Sequence, residues 1–214
     1  DLKKKILRAV GEPKERFRED ALRMMRVVRL VSELSGFSAK GGPASGWEIE
    51  EKTAKAVKES AGLLEFIAKE RIRDEFMKII MSDNGGPLDG VSKLEELGLL
   101  KYIMPELREG IRIGQNKNHI YTVWEHNLLS LDYAAKQNYS FEVRLASLLH
   151  DVGKPRVKEG DGVDSTFYAH EIVGGKMTLQ LLDRLHFPKD VIEKVAHLVR
   201  FHLFYYNVGE VTEA

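Results

Sequence analysis

An all-α fold is predicted by three features of this 214-residue sequence. Apolar residues recur at helical spacing through most of the chain, as in Phe17, Ala21, Met24, Val28 and Val31. Gly- and Pro-bearing breaks separate these runs, and no strand-helix-strand rhythm appears. Hydrophobic content of 43% supplies enough apolar surface for a sizeable core.

Pro13 is placed to open the first helix, which runs to a stop at Gly36. Residues 38–47 read as a loop, and a polar helix is expected from about Glu48 to Ser60. The next helix, about Lys69 to Met81, carries Ile72, Phe76, Ile79 and Ile80 as its buried stripe. After the break at 83–87, residues 88–109 read as two short helices around Leu97-Gly98-Leu99, the second restarted by Pro105. The irregular, polar stretch 110–121 is the natural boundary, giving domains 1–110 and 111–214. Beyond it, helices are expected at about 122–136, 141–150, 170–185 and 188–203. The turn-rich segment between Pro155 and Tyr168 reads as a small hairpin or flap.

There is no cysteine, so disulfides and thiolate metal sites are excluded, and a reducing, cytoplasmic setting is expected. No apolar run approaches a membrane-spanning length, so no membrane partner is expected. Net charge is zero, 33 basic against 33 acidic residues, which argues against a strongly basic nucleic-acid binder. The distribution is uneven. Residues 1–36 hold ten Lys/Arg against six Asp/Glu, a local +4, whereas 119–214 hold ten against thirteen, a local −3. Phosphate-backbone contact is therefore expected toward the N-terminal end.

The phrase Leu148-Leu149-His150-Asp151-Val152-Gly153-Lys154-Pro155 ends an apolar helical run in two adjacent metal-capable side chains. Imidazole and carboxylate together suit a divalent first-row metal. His126, His170 and His202 each lie on a further helical run, so four helices bring candidate ligands with Asp151, a recurrent way to build a metal site in a helical bundle. His126, Leu129 and Tyr133 share a face, read here as a packing face. Such a metal activates water and clamps phosphoryl oxygens, and Lys154 is placed to meet a phosphate as a point charge. Lone histidines on apolar helices are ordinarily satisfied and partly buried, and His119, His186 and His197 read that way.

The pattern His126…His150-Asp151…Lys154 resembles the HD superfamily of metal-dependent phosphohydrolases. The resemblance implies a divalent cofactor (Mg²⁺, Mn²⁺ or Ni²⁺), catalysis by His126, His150, Asp151 and Lys154, and a phosphoester substrate. That family has a further late Asp ligand. After His202 only Glu210 and Glu213 remain as acids here.

The N-terminal run Arg16-Phe17-Arg18-Glu19-Asp20-Ala21-Leu22-Arg23-Met24-Met25-Arg26 puts Asp20 and Arg23 three apart, on one face if helical, with Arg26 and Arg29 continuing the row. An acid beside an arginine reads either as a solvated ion pair or as a pair able to bind a base edge. This run resembles the neck helix of the bacterial tRNA CCA-adding enzymes and their poly(A) polymerase relatives. Glu70-Arg71-Ile72-Arg73-Asp74-Glu75-Phe76 resembles that family's next motif. The resemblance implies that Glu19, Asp20, Arg23 and Arg26 bind nucleotide and that the partners are tRNA or other RNA 3′ ends. The family's head motifs, a Gly-Ser turn and an Asp-x-Asp pair ahead of the neck, do not occur, so nucleotide addition by this chain alone is not expected. Two alternatives stand beside a phosphohydrolase: an RNA-holding module with a vestigial HD site, and a purely structural role for both motifs.

Overall fold

The structure, a computed structural model, describes residues 2–35, 46–83, 86–116 and 120–203. It is all-helical apart from one minimal parallel strand pair, β1 (Ile6–Leu7) with β2 (Glu48–Ile49). The pair lies in what reads as a basic lead-in and as the start of a polar helix, because two-residue strands leave no alternation to detect.

Where one neck helix is expected, two occur: α1 (Pro13–Glu19) and α2 (Leu22–Ser35). Asp20 causes the break. Its backbone is extended (φ −152°), and its Oδ1 accepts from Leu22 N at 3.1 Å, so its side chain caps the start of α2. Asp20 and Arg23 consequently do not share a helical face. Met24, Met25, Val28 and Val31 of α2 are buried against α4 (Lys69–Ile80) and α5 (Gly86–Glu96). Helix α3 (Glu51–Ser60) covers α1. The stripe Ile72, Phe76, Ile79 and Ile80 on α4 is fully buried, each side chain contributing roughly 1.5–3 kcal/mol. Gly98 turns the chain at φ +72°, letting α6 (Leu100–Ile103) and α7 (Pro105–Arg108) follow α5.

Helix α8 (Val123–Lys136) starts at a capping box: Thr122 Oγ1 accepts from Glu125 N at 3.2 Å, and Thr122 N donates to Glu125 Oε2 at 2.8 Å. It packs on α9 (Phe141–Leu149). The chain then turns at His150-Asp151 and starts the short α10 (Lys154–Val157). Pro155 therefore opens a helix rather than only stopping one, since its missing N–H is harmless in a first turn. The hairpin reading of the next segment reduces to an antiparallel bridge between Glu159 and Thr166 around a 3₁₀ turn at Gly162–Asp164. Helices α11 (His170–Arg184) and α12 (Lys189–Arg200) pair closely and finish the described fold.

One apolar core runs from Phe17 and Met24 through Leu94 and Leu107 to Leu145, Leu181 and Val199. Arg144 crosses it. The residue is 2% exposed, and its guanidinium donates to Tyr139 O (3.0 Å), Ser82 O (3.1 Å), Ile80 O (3.3 Å) and Ala135 O (3.4 Å). These carbonyls lie at the C-terminal ends of α4 and α8, where helix dipoles favour a cation. No helix among the described residues is long and apolar enough to cross a membrane.

Replacing Arg144 by Met strands these carbonyls and is expected to cost roughly 3–5 kcal/mol in urea unfolding. A second expectation concerns acid. Lys194 of α12 lies 2.9 Å from Glu142 of α9 and is the main reason the Glu142 carboxyl falls to about 2. A depressed carboxyl stabilises the fold above its unfolded value, about 4.3, and loses that contribution as pH falls toward 2. Glu142→Gln should therefore lower stability near neutrality, flatten the stability curve in that acid window, and approach the wild type as pH nears 2.

Candidate metal centre

The four predicted histidine ligands converge on the fifth, the buried carboxylate of Asp151. Asp151 is 1% exposed, at the turn between α9 and α10. On its Oδ2 side lie His126 Nε2 at 3.5 Å and His150 Nε2 at 3.3 Å, themselves 3.0 Å apart. On its Oδ1 side lie His170 Nε2 at 3.3 Å and His202 Nε2 at 3.6 Å, themselves 3.3 Å apart. The carboxylate thus joins two three-residue groups, each of a composition that could hold a metal. Donors about 2.1 Å from a first-row divalent ion are about 3.0 Å apart in an octahedral arrangement and about 3.4 Å apart in a tetrahedral one. The separations of 3.0 and 3.3 Å fall in that range, and those of His126 (3.5 Å) and His202 (3.6 Å) from Asp151 lie just beyond it.

Backbone carbonyls orient the rings. His150 Nδ1 donates to Ser147 O (2.9 Å), His170 Nδ1 to Phe167 O (2.7 Å) and His202 Nδ1 to Val199 O (2.7 Å). This fixes the tautomer that leaves each Nε2 lone pair facing Asp151, the arrangement metal-ligating histidines need. Adjacent lone pairs and a carboxylate repel unless a positive charge lies among them, so the donor set fits a cation. Burial would raise the Asp151 carboxyl, but the facing rings of His150, His170 and His202, cationic when protonated at Nε2, outweigh burial and hold the group far below the usual carboxylate range. Burial likewise opposes charge on His202, and Asp151 more than compensates, so His202 is shifted up.

Lys154 reads from the sequence as either solvated or phosphate-facing; it is buried, with Nζ 2.7 Å from Asp151 Oδ2. The ammonium is off the direction of a hydrogen bond, since Asp151 Oδ2 has no hydrogen-bond partner among the described residues. Lys154 Nζ does donate to Gln115 Oε1 at 2.7 Å. A cavity of about 700 Å³ opens over the centre, walled also by Phe167, Tyr168 and Asn116. Ala169 takes a left-handed conformation (φ +61°) immediately before His170, strain that sets the ring at the head of α11. Gly153 matters for packing. A Cβ there would overlap the His170 carbonyl oxygen and come within 2.6 Å of Gly174 N.

Some sequence expectations need correction. Leu129 and Tyr133, read as packing partners of His126, are 39% and 60% exposed, so that face of α8 is open. His186 is exposed and paired with Glu70 at 2.8 Å, so it is satisfied but not partly buried, and His197 is exposed against Phe201 rather than partly buried. His119, Glu210 and Glu213 lie outside the described residues. Gln115 went unrecognised because a polar residue in an irregular segment carries no periodic signal.

In the neck, the four predicted nucleotide-binding residues lie close together, but in different pairs. Arg23 Nη1 meets Glu19 Oε2 at 2.6 Å, and Arg16 meets the same carboxylate at 3.0 Å. Asp20 Oδ2 meets Arg71 at 2.9 Å instead of Arg23. Arg26 lies 3.9 Å from the buried Glu75, which pairs mainly with Arg29 at 2.8 Å. Hydrogen bonds from Arg23 and then Arg16 lower the Glu19 carboxyl. Burial raises that of Asp20, but Arg71 and Leu22 N–H overcome it and leave it lowered. A cavity of about 400 Å³ adjoins Glu19 and Asp20, with Arg18, Arg71 and the 83%-exposed Phe66 on its walls.

Residues 46–111 match the family described as the probable RNA- and SrmB-binding site of polymerase A, and residues 123–212 match the HD domain. The chain is a relative of the tRNA nucleotidyltransferases. It is 36% identical to the A-adding tRNA nucleotidyltransferase of Deinococcus radiodurans over 212 residues, 95% of this chain and 45% of its relative. It is 32% identical to the CC-adding tRNA nucleotidyltransferase of Thermus thermophilus over the same shares. The multifunctional CCA protein of Neisseria meningitidis serogroup B is 28% identical over 99% of this chain and 47% of its own length. The chain thus spans just under half the length of these relatives, consistent with a C-terminal portion of such a protein.

Gly153→Ala tests the packing at the centre. Forcing a methyl between His150-Asp151 and α11 is expected to cost about 1–3 kcal/mol in denaturant unfolding. It should also weaken divalent-metal binding in titration calorimetry, because it moves His170.

Proposed function

We infer that this chain comprises the neck and body (residues 1–110) and HD portion (residues 111–214) of a tRNA nucleotidyltransferase-like protein. Its HD centre hydrolyses phosphomonoesters or phosphodiesters, including 2′,3′-cyclic phosphates at RNA ends. One observation carries this reading: a buried carboxylate shared between two histidine pairs, at the floor of an open cavity. His126, His150 and Asp151 form one ligand group and His170, His202 and Asp151 the other. A divalent metal bound there supplies Lewis-acid activation of water and neutralises phosphoryl charge. The imidazoles contribute oriented neutral donors, Asp151 contributes negative charge, and Lys154 steadies a phosphoryl oxygen from the cavity wall. The match of residues 46–111 to an RNA-binding family supports an RNA substrate held by the neck and body. There Glu19, Asp20, Arg23 and Arg26 read a nucleotide base edge after exchanging their present intramolecular partners.

Purified protein is expected to contain near-stoichiometric metal by elemental analysis. It should hydrolyse bis-p-nitrophenyl phosphate and 2′,3′-cAMP with added Mn²⁺, Ni²⁺ or Mg²⁺, and chelator should abolish turnover. Asp151→Asn, which removes the shared charge, should reduce both metal content and turnover to background. Turnover that survives chelator or this substitution would overturn the hydrolase reading. Bound metal without turnover would point to a truncated or regulatory site; neither metal nor turnover would favour the RNA-holding module, whose tRNA affinity should fall as salt rises.

A further inference from the structure

Gln115 belongs to neither ligand group, yet it is 7% exposed and meets the centre through one atom. Its Oε1 accepts from Lys154 Nζ at 2.7 Å, and its Nε2 donates to Tyr121 O at 3.1 Å. Its segment is pinned to the start of α8, because Val123 N donates to Ile113 O at 2.9 Å and Trp124 N to Gly110 O at 3.2 Å. Gln115 is thus fixed to the same helix end that presents His126.

The Lys154 ammonium has two oxygens at the same distance, Asp151 Oδ2 and Gln115 Oε1, both at 2.7 Å. Oδ2 is also the oxygen nearest His126 and His150. A cation in that ligand group needs the lone pair that the ammonium faces, so the two positive charges compete for one oxygen. Like charges that close repel strongly in a buried site. A buried ammonium that loses its carboxylate needs another acceptor, since an unpaired buried charge is costly. Gln115 supplies that acceptor without adding charge. The Phe167 ring, 5.5 Å from Nζ, lies on the cavity side and gives the displaced ammonium a second favourable surface.

We propose that Gln115 is a positioning residue that draws Lys154 off Asp151 Oδ2, freeing that oxygen for metal and aiming the ammonium at substrate phosphate. The proposal rests on the metal-dependent reading of the centre. It makes the segment before α8 part of the site, where sequence alone marks only a domain boundary.

The test uses the whole chain and Mn²⁺ alone as probe, with Kd measured by calorimetry for wild type, Gln115→Met, Gln115→Glu, Lys154→Met and the Gln115→Met/Lys154→Met double variant. Outer partners of metal sites typically contribute 10- to 100-fold in affinity, so Gln115→Met is expected to weaken Mn²⁺ by roughly tenfold or more. Gln115→Glu keeps an acceptor for Lys154 and loses the donor to Tyr121 O, and is expected to bind Mn²⁺ at least as well as wild type. In the Lys154→Met background, Gln115→Met should have no further effect, because the ammonium it positions is gone. Turnover of bis-p-nitrophenyl phosphate by Gln115→Met at saturating Mn²⁺ should show a raised KM with a smaller change in kcat. Unchanged Mn²⁺ affinity in Gln115→Met, an equal loss with and without Lys154, or a Gln115→Glu variant as weak as Gln115→Met would overturn the proposal and leave the metal centre standing. Failure of wild type itself to bind Mn²⁺ would overturn the metal reading and this inference together.

Discussion

Both oxygens of Asp151 are engaged by groups from separate parts of the chain. His126 comes from α8, His150 from the end of α9, Lys154 from α10, His170 from the start of α11 and His202 from beyond α12. A carboxylate this buried costs several kcal/mol unless positive charge compensates it. The compensation comes from Lys154 and from whatever sits among the imidazole nitrogens, protons or metal. Stability of this half of the molecule is therefore linked to occupancy of its centre: a ligand that binds only the folded arrangement shifts unfolding by mass action. The geometry is also unforgiving, since a shift of any one helix moves a donor out of the range of separations that a single ion can span.

The surrounding structure holds those helices at fixed heights. Arg144 sits on α9 two turns before His150 and binds backbone carbonyls at the ends of α4 and α8. It therefore sets where α9 lies relative to the N-terminal half and to the helix carrying His126. Gly153 performs the matching task at the other end of the motif, where only a hydrogen in place of a side chain lets the backbone after Asp151 touch α11. Between them these residues convert a local sequence motif into a positioned one. The His-Asp dipeptide supplies the chemistry, and Arg144 and Gly153 supply its coordinates.

The helices and the ligand histidines were legible in the sequence because each leaves a local signal. The α4 stripe repeats at helical spacing, and His150-Asp151 stands at the end of an apolar run. What was not legible depends on distance along the chain. The pairing of Asp20 with Arg71 spans 51 residues, and no pattern within the neck helix announces it. Nothing local to Arg144 marks its partners, which lie as far away as Ile80 and Ser82. The break at Asp20 was visible in principle, since Asp is a favoured cap, but the apolar repeat continues across it with only a small phase change. The exposure of His186 is likewise hidden from a periodic reading. Its positive φ of +55° turns the ring outward at the end of α11, toward Glu70.

The two candidate sites differ in how their charges are held, and the difference suits different tasks. At the HD centre the charged groups are buried, mutually oriented and fixed by backbone carbonyls, so little reorganisation precedes binding of a cation. In the neck, Glu19, Arg16 and Arg71 are substantially exposed, and Arg23 and Asp20 partly so. Exposed ion pairs of this kind contribute little, about 0–1 kcal/mol each, because water screens them. They can exchange partners at small cost. The proposed reading of base edges in the neck needs that freedom, whereas the proposed chemistry at phosphorus needs the opposite. The cavity beside Asp20, with Phe66 exposed at its wall, leaves space for a planar ligand to take over the contacts that Arg71 and Glu19 now make. Rigidity around Asp151 and exchangeable pairing around Asp20 thus follow from burial alone: the same residue types, acid and base within hydrogen-bonding distance, are locked in one setting and adaptable in the other.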